Sequence, residues 1–331
     1  MKAFVVTEYK APLELAEVAE PEVGARDVLV QVRAAGLNQL DEKIRAGEFK
    51  LFLPYRLPQV LGNDVAGTVL RVGPDVRRFK PGDEVYGRPD KDRIGTFAER
   101  IAVAEDDLAL KPASIGFEAA GSLPLVALTA WQALVERGGL RAGQKVLIHA
   151  GAGGVGSIAI QLAKHLGATV ATTVSAANAD FVRGLGADVV IDYRSQDFEQ
   201  LLSGYDLVLD SLGGKNLERS LRVLRKGGKA IGIAGPPDPG FARELGANPV
   251  LRLAFAGLSS GVRRQARRLG VHYEFLFMRA SGDQLREITA LVDSGAIRPV
   301  VGKTVPFGET AEALSALERG GIRGKAVVTA A

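Results

Sequence analysis

The chain has 331 residues, 47% of them hydrophobic and 24% charged. That is longer than one hydrophobic core comfortably spans, so two domains are expected, each with enough apolar residues for its own core. The complete absence of cysteine excludes disulfides, thiolate nucleophiles, thiolate-bound zinc and cysteine-held iron–sulfur clusters. A net charge of only +4 calls for no nucleic-acid partner, and no apolar run reaches the length of a membrane span.

The opening Met1–Thr7 reads as a short strand rather than a signal peptide, which sets the expectation of a cytoplasmic protein. Short β runs follow at Val28–Val32, Val65–Val72, Glu84–Tyr86 and Phe97–Val103. Turn residues punctuate them, including Lys80-Pro81-Gly82-Asp83, whose Pro-Gly order suits a type II turn. This first stretch, residues 1–121, is expected to be an antiparallel, barrel-like β domain.

From residue 122 the rhythm becomes strand, helix, strand, helix. The β runs are Lys145–Ala150, Thr169–Val174, Val189–Asp192, Leu207–Asp210 and Lys229–Ala234, and such alternation implies a parallel sheet covered by helices. Residues 236–270 look like an insertion of two helical runs before a last apolar strand, Val271–Met278. Within it Arg263, Arg264, Arg267 and Arg268 fall at helical spacing, and a solvated face accounts for them better than an anionic partner. The second domain is placed at 122–280. Residues 281–331 offer a helix to about Ser294, a strand at Pro299–Val305, a helix from Glu309 to Glu318 and a strand at Lys325–Thr329; without a sheet of their own, they are expected to rejoin the first domain.

The motif that carries chemistry follows the strand Lys145–Ala150: Gly151-Ala152-Gly153-Gly154-Val155-Gly156, running into the helical Ser157–Leu162. In that context Gly151 permits a tight turn, Gly153 lets a pyrophosphate approach the backbone, and Gly156 lets helix pack on strand, with Gly154 and Val155 presenting helix-terminal N–H groups. The reading is a dinucleotide-binding Rossmann unit. Its second strand ends Val174-Ser175-Ala176-Ala177-Asn178, without the carboxylate that usually holds an NAD ribose, so a 2′-phosphate meets no repulsion and NADPH is the expected cofactor. Ser175, Asn178 and Tyr193 are candidate hydrogen-bond donors to that phosphate, with Arg183 and Arg194 as candidate charge partners.

Taken together, Ala35-Gly36-Leu37-Asn38-Gln39-Leu40-Asp41, Gly62-Asn63-Asp64-Val65-Ala66-Gly67, Gly82-Asp83-Glu84-Val85, the glycine loop, Leu185-Gly186-Ala187-Asp188, Ile191-Asp192-Tyr193 and Gly324-Lys325 resemble the zinc-independent quinone oxidoreductase and enone reductase branch of the medium-chain dehydrogenase/reductase family, over nearly the whole chain. The resemblance implies an α/β fold, a Rossmann doubly wound parallel sheet plus a GroES-like β-barrel domain. Zinc-dependent members carry Cys where Asn38 stands, a His-Glu pair at Asn63-Asp64 and a third ligand near Leu125, so no metal site is expected.

It further implies Asn38, Asp41 and Tyr55 as catalytic candidates: Asn38 toward the nicotinamide or a substrate carbonyl, Asp41 for local positioning, Tyr55 as proton donor or aromatic wall. An Asn-Asp helix cap and a merely packed tyrosine are the alternatives. For the cofactor it implies Thr129, the loops at Ser211 and Ala234, Phe277 and Lys325. His149, His165 and His272 are assigned to structure. Related NADPH users often carry Lys where Asn178 stands, so that contact is weakened here.

The expected activity is hydride delivery from NADPH to a quinone or an α,β-unsaturated ketone, acceptors whose new negative charge delocalises without a metal. A zinc-free reductase of other carbonyls and a non-catalytic NADPH-binding redox sensor or scaffold are the alternatives. The partners expected are a small-molecule acceptor and, through the last apolar strand, a second copy in a homodimer; no nucleic acid and no integral membrane segment are expected.

Overall fold

The computed structural model describes residues 1–317 and 319–330. Its contacts divide the chain into two compact units, Met1–Leu128 with Arg279–Ala331, and Thr129–Met278. These boundaries fall at 128/129 and 278/279, where the sequence suggests 121/122 and 280/281.

The first unit is built on β pairing. Strands β1 (Lys2–Val6), β2 (Glu14–Glu17) and β4 (Gln59–Val60) form a small antiparallel sheet. The large sheet takes β3 (Asp27–Leu37), β5 (Val65–Val72), β6 (Glu84–Gly87), β7 (Arg100–Ala104) and β8 (Leu108–Leu110), together with two strands from the end of the chain, β15 (Val301–Pro306) and β16 (Lys325–Thr329). Its order is β15-β16-β3-β5-β6-β8, with β7 also paired to β3. Every pairing is antiparallel except β15 with β16.

Val28, Val30, Val65, Val85, Phe97, Val305 and Val328 are among the residues that fill the core, so apolar surface from both ends of the chain is removed from water together. The turn after Lys80 closes as its Pro-Gly order suggests: Gly82 has φ +92°, and the Asp83 N–H reaches the Lys80 carbonyl at 3.2 Å. The tail rejoins this unit, as expected from its lack of a sheet. Its helix Gly282–Asp293 is held by the Tyr86 hydroxyl donating to the Leu285 carbonyl at 2.8 Å. Its second helix is Thr310–Leu317, and Glu318, the expected last residue, lies outside the described residues.

The second unit is a six-stranded parallel sheet of β9 (Lys145–Ile148), β10 (Thr169–Val174), β11 (Val189–Asp192), β12 (Tyr205–Asp210), β13 (Leu224–Gly232) and β14 (His272–Phe275). The order β11-β10-β9-β12-β13-β14 is the doubly wound arrangement, whose direction of winding reverses beside β9. Residues 236–270 form three helices rather than the expected two: Pro239–Glu244, Pro249–Leu258 and Ser260–Leu269. The first two start at a proline behind a capping side chain, Asp238 or Asn248, which satisfies an otherwise unpaired N–H and defines a helix start that the broken apolar pattern hides. On the third, Val262 and Ala266 are buried while Arg264, Arg267 and Arg268 face water.

His149, just beyond β9, is buried with both ring nitrogens bonded, Nδ1 to Thr173 Oγ1 at 2.9 Å and Nε2 to Ser220 Oγ at 2.8 Å. Ser220 donates its own hydrogen to the Asn216 carbonyl, so it accepts from Nε2–H, and Nδ1 is the ring acceptor. Burial, then the charge of Arg219, pushes the imidazole pKa down from 6.5 to about 4. A histidine held neutral in this way stabilises the fold above its unfolded pKa of about 6.5, and that contribution is lost as pH falls through about 4. We expect His149→Gln to flatten the loss of thermal stability between pH 6.5 and 4 relative to the parent, a difference worth up to about 3 kcal/mol; identical pH profiles would show the imidazole to be freely protonated in the folded chain.

Candidate active site

In the first unit, four polar residues line up at one end of the large sheet because neighbouring strands reverse direction there. The β16–β3 register pairs Ala326 with Leu37, which sets Lys325 beside Asn38. The β5–β6 register pairs Val65 with Gly87, which sets Asp64 beside Arg88. Gly36 stands where β3 passes the Asp64 carboxylate: a Cβ there would lie 2.6 Å from Asp64 Oδ2 and from the Gly121 carbonyl, so only glycine fits.

Asp64 is fully buried, and each of its oxygens is occupied. Oδ1 accepts from the Leu125 N–H at 2.6 Å, and Oδ2 accepts from Asn38 Nδ2 at 2.9 Å and Lys325 Nζ at 3.0 Å. The Lys325 ammonium spends its other two hydrogens on the Leu37 carbonyl, at 2.8 Å, and on Asn38 Oδ1. Asn38 gives its remaining amide hydrogen to the Gly36 carbonyl at 3.2 Å. Beneath this row Asp41 opens the helix Gln39–Arg45, accepting from the Asn38 N–H at 2.8 Å and from Asn63 Nδ2 at 2.7 Å. Burial raises the Asp41 pKa to about 6, against the opposing pull of the Asn63 bond and the Lys325 charge.

This geometry bears on three of the residues singled out in the sequence. Asn38 offers no free amide hydrogen to a ligand, because both are taken by Gly36 and Asp64. Lys325, expected with the cofactor, is buried in the first unit with its donors used up. Tyr55 donates its hydroxyl hydrogen to the Lys91 carbonyl at 2.7 Å, and burial pushes its ionisation up, so of its two suggested roles the aromatic wall suits it better than the proton donor. The cap alternative is half right: Asp41 does accept the N-cap N–H, while the Asn38 carboxamide also ties Asp64 to Lys325.

Zinc does not fit here. Asn38, Asn63 and Leu125 supply no ligating group of the kind zinc prefers, and the one carboxylate in line, on Asp64, already faces an ammonium. Among the described residues no three His, Cys, Asp or Glu side chains gather into a group that could hold a metal.

In the second unit the three spaced glycines after β9 have distinct jobs. The left-handed residue of the turn is Ala150, at φ +52°, and not Gly151. Gly151 is needed because a Cβ would strike Thr172 Oγ1, and Gly156 because a Cβ would strike the Ala150 carbonyl. Gly153 is different. It caps the helix Gly154–His165 in extended backbone, and a Cβ on it would meet only the Ala150 carbonyl, at 3.3 Å. A Cβ at 153 would press on a backbone carbonyl, a milder constraint than at 151 or 156, and the N-terminal N–H groups of the helix that follows form a seat that fits a dinucleotide pyrophosphate.

Past the ends of β10 and β11 lies a cavity of about 320 Å³ lined by Ser175, Arg183, Asp192, Ser195 and Gln196 among others. Sequence reasoning placed Ser175 and Arg183 here and missed Asp192, whose carboxyl is held below its usual range by the Arg194 N–H and the Ser195 hydroxyl. Asn178 stays close, its amide donating to Ser175 Oγ at 3.3 Å. Tyr193 is exposed outside this cavity with the Arg194 guanidinium over its ring, and Arg183 is paired with Asp180 at 2.9 Å. Ser211 reaches the His149 carbonyl at 3.4 Å, Ala234 is exposed just beyond β13, Thr129 is buried on its helix, and Phe277 packs against Phe241.

The Asp41 carboxyl makes this site testable. Its folded pKa lies above the ordinary 3.8, so proton uptake favours the folded chain, and that stabilisation is lost as pH rises through about 6. We expect its carboxyl ¹³C resonance to titrate near 6, and Asn63→Leu, which removes the opposing bond, to move the midpoint higher. A midpoint at the ordinary value in both proteins would mean that the carboxyl is solvated.

Comparison with known proteins identifies the family of the chain. Residues 24–113 match the model of an alcohol dehydrogenase GroES-like domain, and residues 185–328 that of a zinc-binding dehydrogenase. The chain is 36% identical over 324 residues to the mitochondrial NAD(P)H oxidoreductase RTN4IP1 of Danio rerio, covering 92% of this chain and 83% of that one. It is 37% identical over 341 residues to the chloroplastic NADPH-dependent alkenal/one oxidoreductase of Arabidopsis thaliana, covering 99% and 79%. The solved quinone oxidoreductase of Coxiella burnetii superposes with a TM-score of 0.87 at 32% identity, covering 99% of each chain. The chain therefore belongs to the medium-chain dehydrogenase/reductase family of NAD(P)H-dependent oxidoreductases.

Proposed function

We propose that the protein is a zinc-independent reductase that uses NADPH to deliver hydride to quinones or α,β-unsaturated carbonyl compounds. The observation that carries this reading is the glycine loop, in which Gly153 caps the helix Gly154–His165 in extended backbone and leaves the helix-terminal N–H groups facing the loop without a side chain in front of them. The relatives, an alkenal/one oxidoreductase that depends on NADPH and a quinone oxidoreductase, suggest the acceptor class.

The N–H groups of the helix after Gly153 hold the pyrophosphate. Ser175 and Arg183 line the cavity we assign to a 2′-phosphate and supply donors to it; Arg183 shares its guanidinium with Asp180, and the Asp192 carboxylate on the same lining opposes the phosphate charge, which these donors have to outweigh. When bound, the dinucleotide supplies a hydride. An electron-poor acceptor takes it without metal assistance, because the charge that develops spreads onto an oxygen that hydrogen bonds can stabilise. The Asp64–Lys325 row keeps the first unit's sheet end fixed and polar. Strand β14, at the outer edge of the parallel sheet, is the edge we assign to pairing with a second copy.

Purified protein should oxidise NADPH in the presence of a quinone or an enone, with activity unchanged after dialysis against a strong chelator. Gly153→Val should abolish NADPH binding while circular dichroism stays that of the parent. Ser175→Asp should lower kcat/KM for NADPH relative to NADH by roughly tenfold or more, by repelling the phosphate. Tight NADPH binding by Gly153→Val, or no turnover across the acceptor panel, would sink the proposal.

A further inference from the structure

The helices Pro249–Leu258 and Ser260–Leu269 run end to end, with Ser259 as the one residue between them. Helical hydrogen bonding carries through that residue: its N–H reaches the Phe255 carbonyl at 3.1 Å, and its own carbonyl accepts the Arg263 N–H at 3.0 Å. The buried residues keep step across the join. Phe255, Ser259, Val262 and Ala266 recur at the spacing of one helix stripe, so the two pieces form a single rod roughly 30 Å long with one side built into the second unit.

The opposite side of the rod meets water along its length, through Val250, Leu253 and Gly257 in the first half and Gly261, Arg264 and Arg268 in the second. The two halves differ in chemistry. Val250 is 79% exposed, Leu253 75% and Leu258, at the edge of the face, 65%. In the second half Arg264, Arg267 and Arg268 are exposed and pair with no carboxylate among the described residues. From Leu245 to Tyr273 the chain carries five arginines and no acid. The flanking helix Gly214–Val223, joined to the rod by the Gln265 amide donating to the Glu218 carbonyl at 2.8 Å, adds Glu218 and Lys215, which offset each other, while its Arg219 and Arg222 bond to Glu199. The face therefore stays positive. A solvated helix face accounts for the arginines but not for the large apolar side chains that continue it.

We propose that this face docks on a membrane of anionic phospholipid: Val250, Leu253 and Leu258 enter the boundary between headgroups and acyl chains, and the three exposed arginines hold lipid phosphates. A guanidinium suits that task because its planar fork takes a phosphate in two parallel bonds. With its other side fixed in the protein, the rod lies along the bilayer and does not span it. A second copy of the chain answers the face less well. Laid antiparallel along it, the arginines of one chain would meet the leucines of the other; with the apolar halves paired, both sets of arginines are left unmatched. An anionic lipid surface satisfies both halves at once. The proposal is independent of the reductase reading above.

The test is co-sedimentation of the full chain with vesicles of phosphatidylcholine alone or of phosphatidylcholine mixed with phosphatidylglycerol. The parent is compared with an apolar variant, Val250→Gln with Leu253→Gln, and a charge variant, Arg264→Gln, Arg267→Gln and Arg268→Gln together. Melting temperature and mass by light scattering are measured on the same samples without lipid. We expect the parent to bind the anionic vesicles at least about tenfold more tightly than the neutral ones, and each variant to lose about tenfold or more of that affinity. Added salt should weaken binding of the parent, because the headgroup attraction is screened. The variants should melt with the parent and keep its mass, since only side chains that face water are changed. No binding of the parent to anionic vesicles, equal binding to both kinds of vesicle, or equal binding by parent and variants would overturn the proposal. So would a fall in mass in the apolar variant, which would give the face to a second copy, or a variant that melts well below the parent, which would make the face part of the protein's own packing.

Discussion

The buried contact between Asp64 and Lys325, 3.0 Å apart with side chains 0% and 6% exposed, organises the first unit. It joins residues 261 positions apart and so fixes the returning end of the chain against a strand laid down near its beginning. A buried ion pair earns its place only when the remaining hydrogen-bonding capacity is satisfied, and here it is. The Leu125 N–H and the Asn38 amide complete the carboxylate, while the Leu37 carbonyl and Asn38 Oδ1 complete the ammonium. Gly36 follows from the same constraint, since any side chain there would displace the carboxylate.

Where zinc-dependent relatives would need three ligands and a metal, this chain has an amide, a carboxylate and an ammonium that satisfy one another. The result is a rigid polar sheet end with its donors and acceptors spoken for, apart from Arg88 and the Asn63 oxygen. In the second unit the same economy appears in the glycine loop. Gly151 and Gly156 are demanded by close packing, and Gly153 is constrained more mildly, by the Ala150 carbonyl alone.

Much of the fold was legible in the sequence because it rests on local periodicity. Thr169–Val174, Val189–Asp192 and Lys325–Thr329 run as strands over the residues their patterns suggest. β2, at Glu14–Glu17, was not legible, since its residues are largely exposed and carry no buried alternation. The third helix of residues 236–270 was hidden by proline breaks that turn out to be helix starts. At the site, the glycine loop could be read because strand, spacing and helix are contiguous. The row of Lys325, Asn38, Asp64 and Arg88 could not, because it exists only through strand register between distant segments. Arg88 in particular looks like an ordinary loop cation beside Pro89 and Asp90, and nothing in its local pattern signals burial.

A double-mutant cycle on Asp64→Asn and Lys325→Met, read by denaturant unfolding, tests most directly whether the sheet-end row is one coupled unit. Removing either partner alone should cost about 3–5 kcal/mol, because it leaves a buried charge or a cavity of unmatched donors. The double variant should then cost far less than the sum of the two single changes. Additive effects agreeing within about 0.5 kcal/mol would contradict the account, since they would mean that the two side chains are stabilised independently.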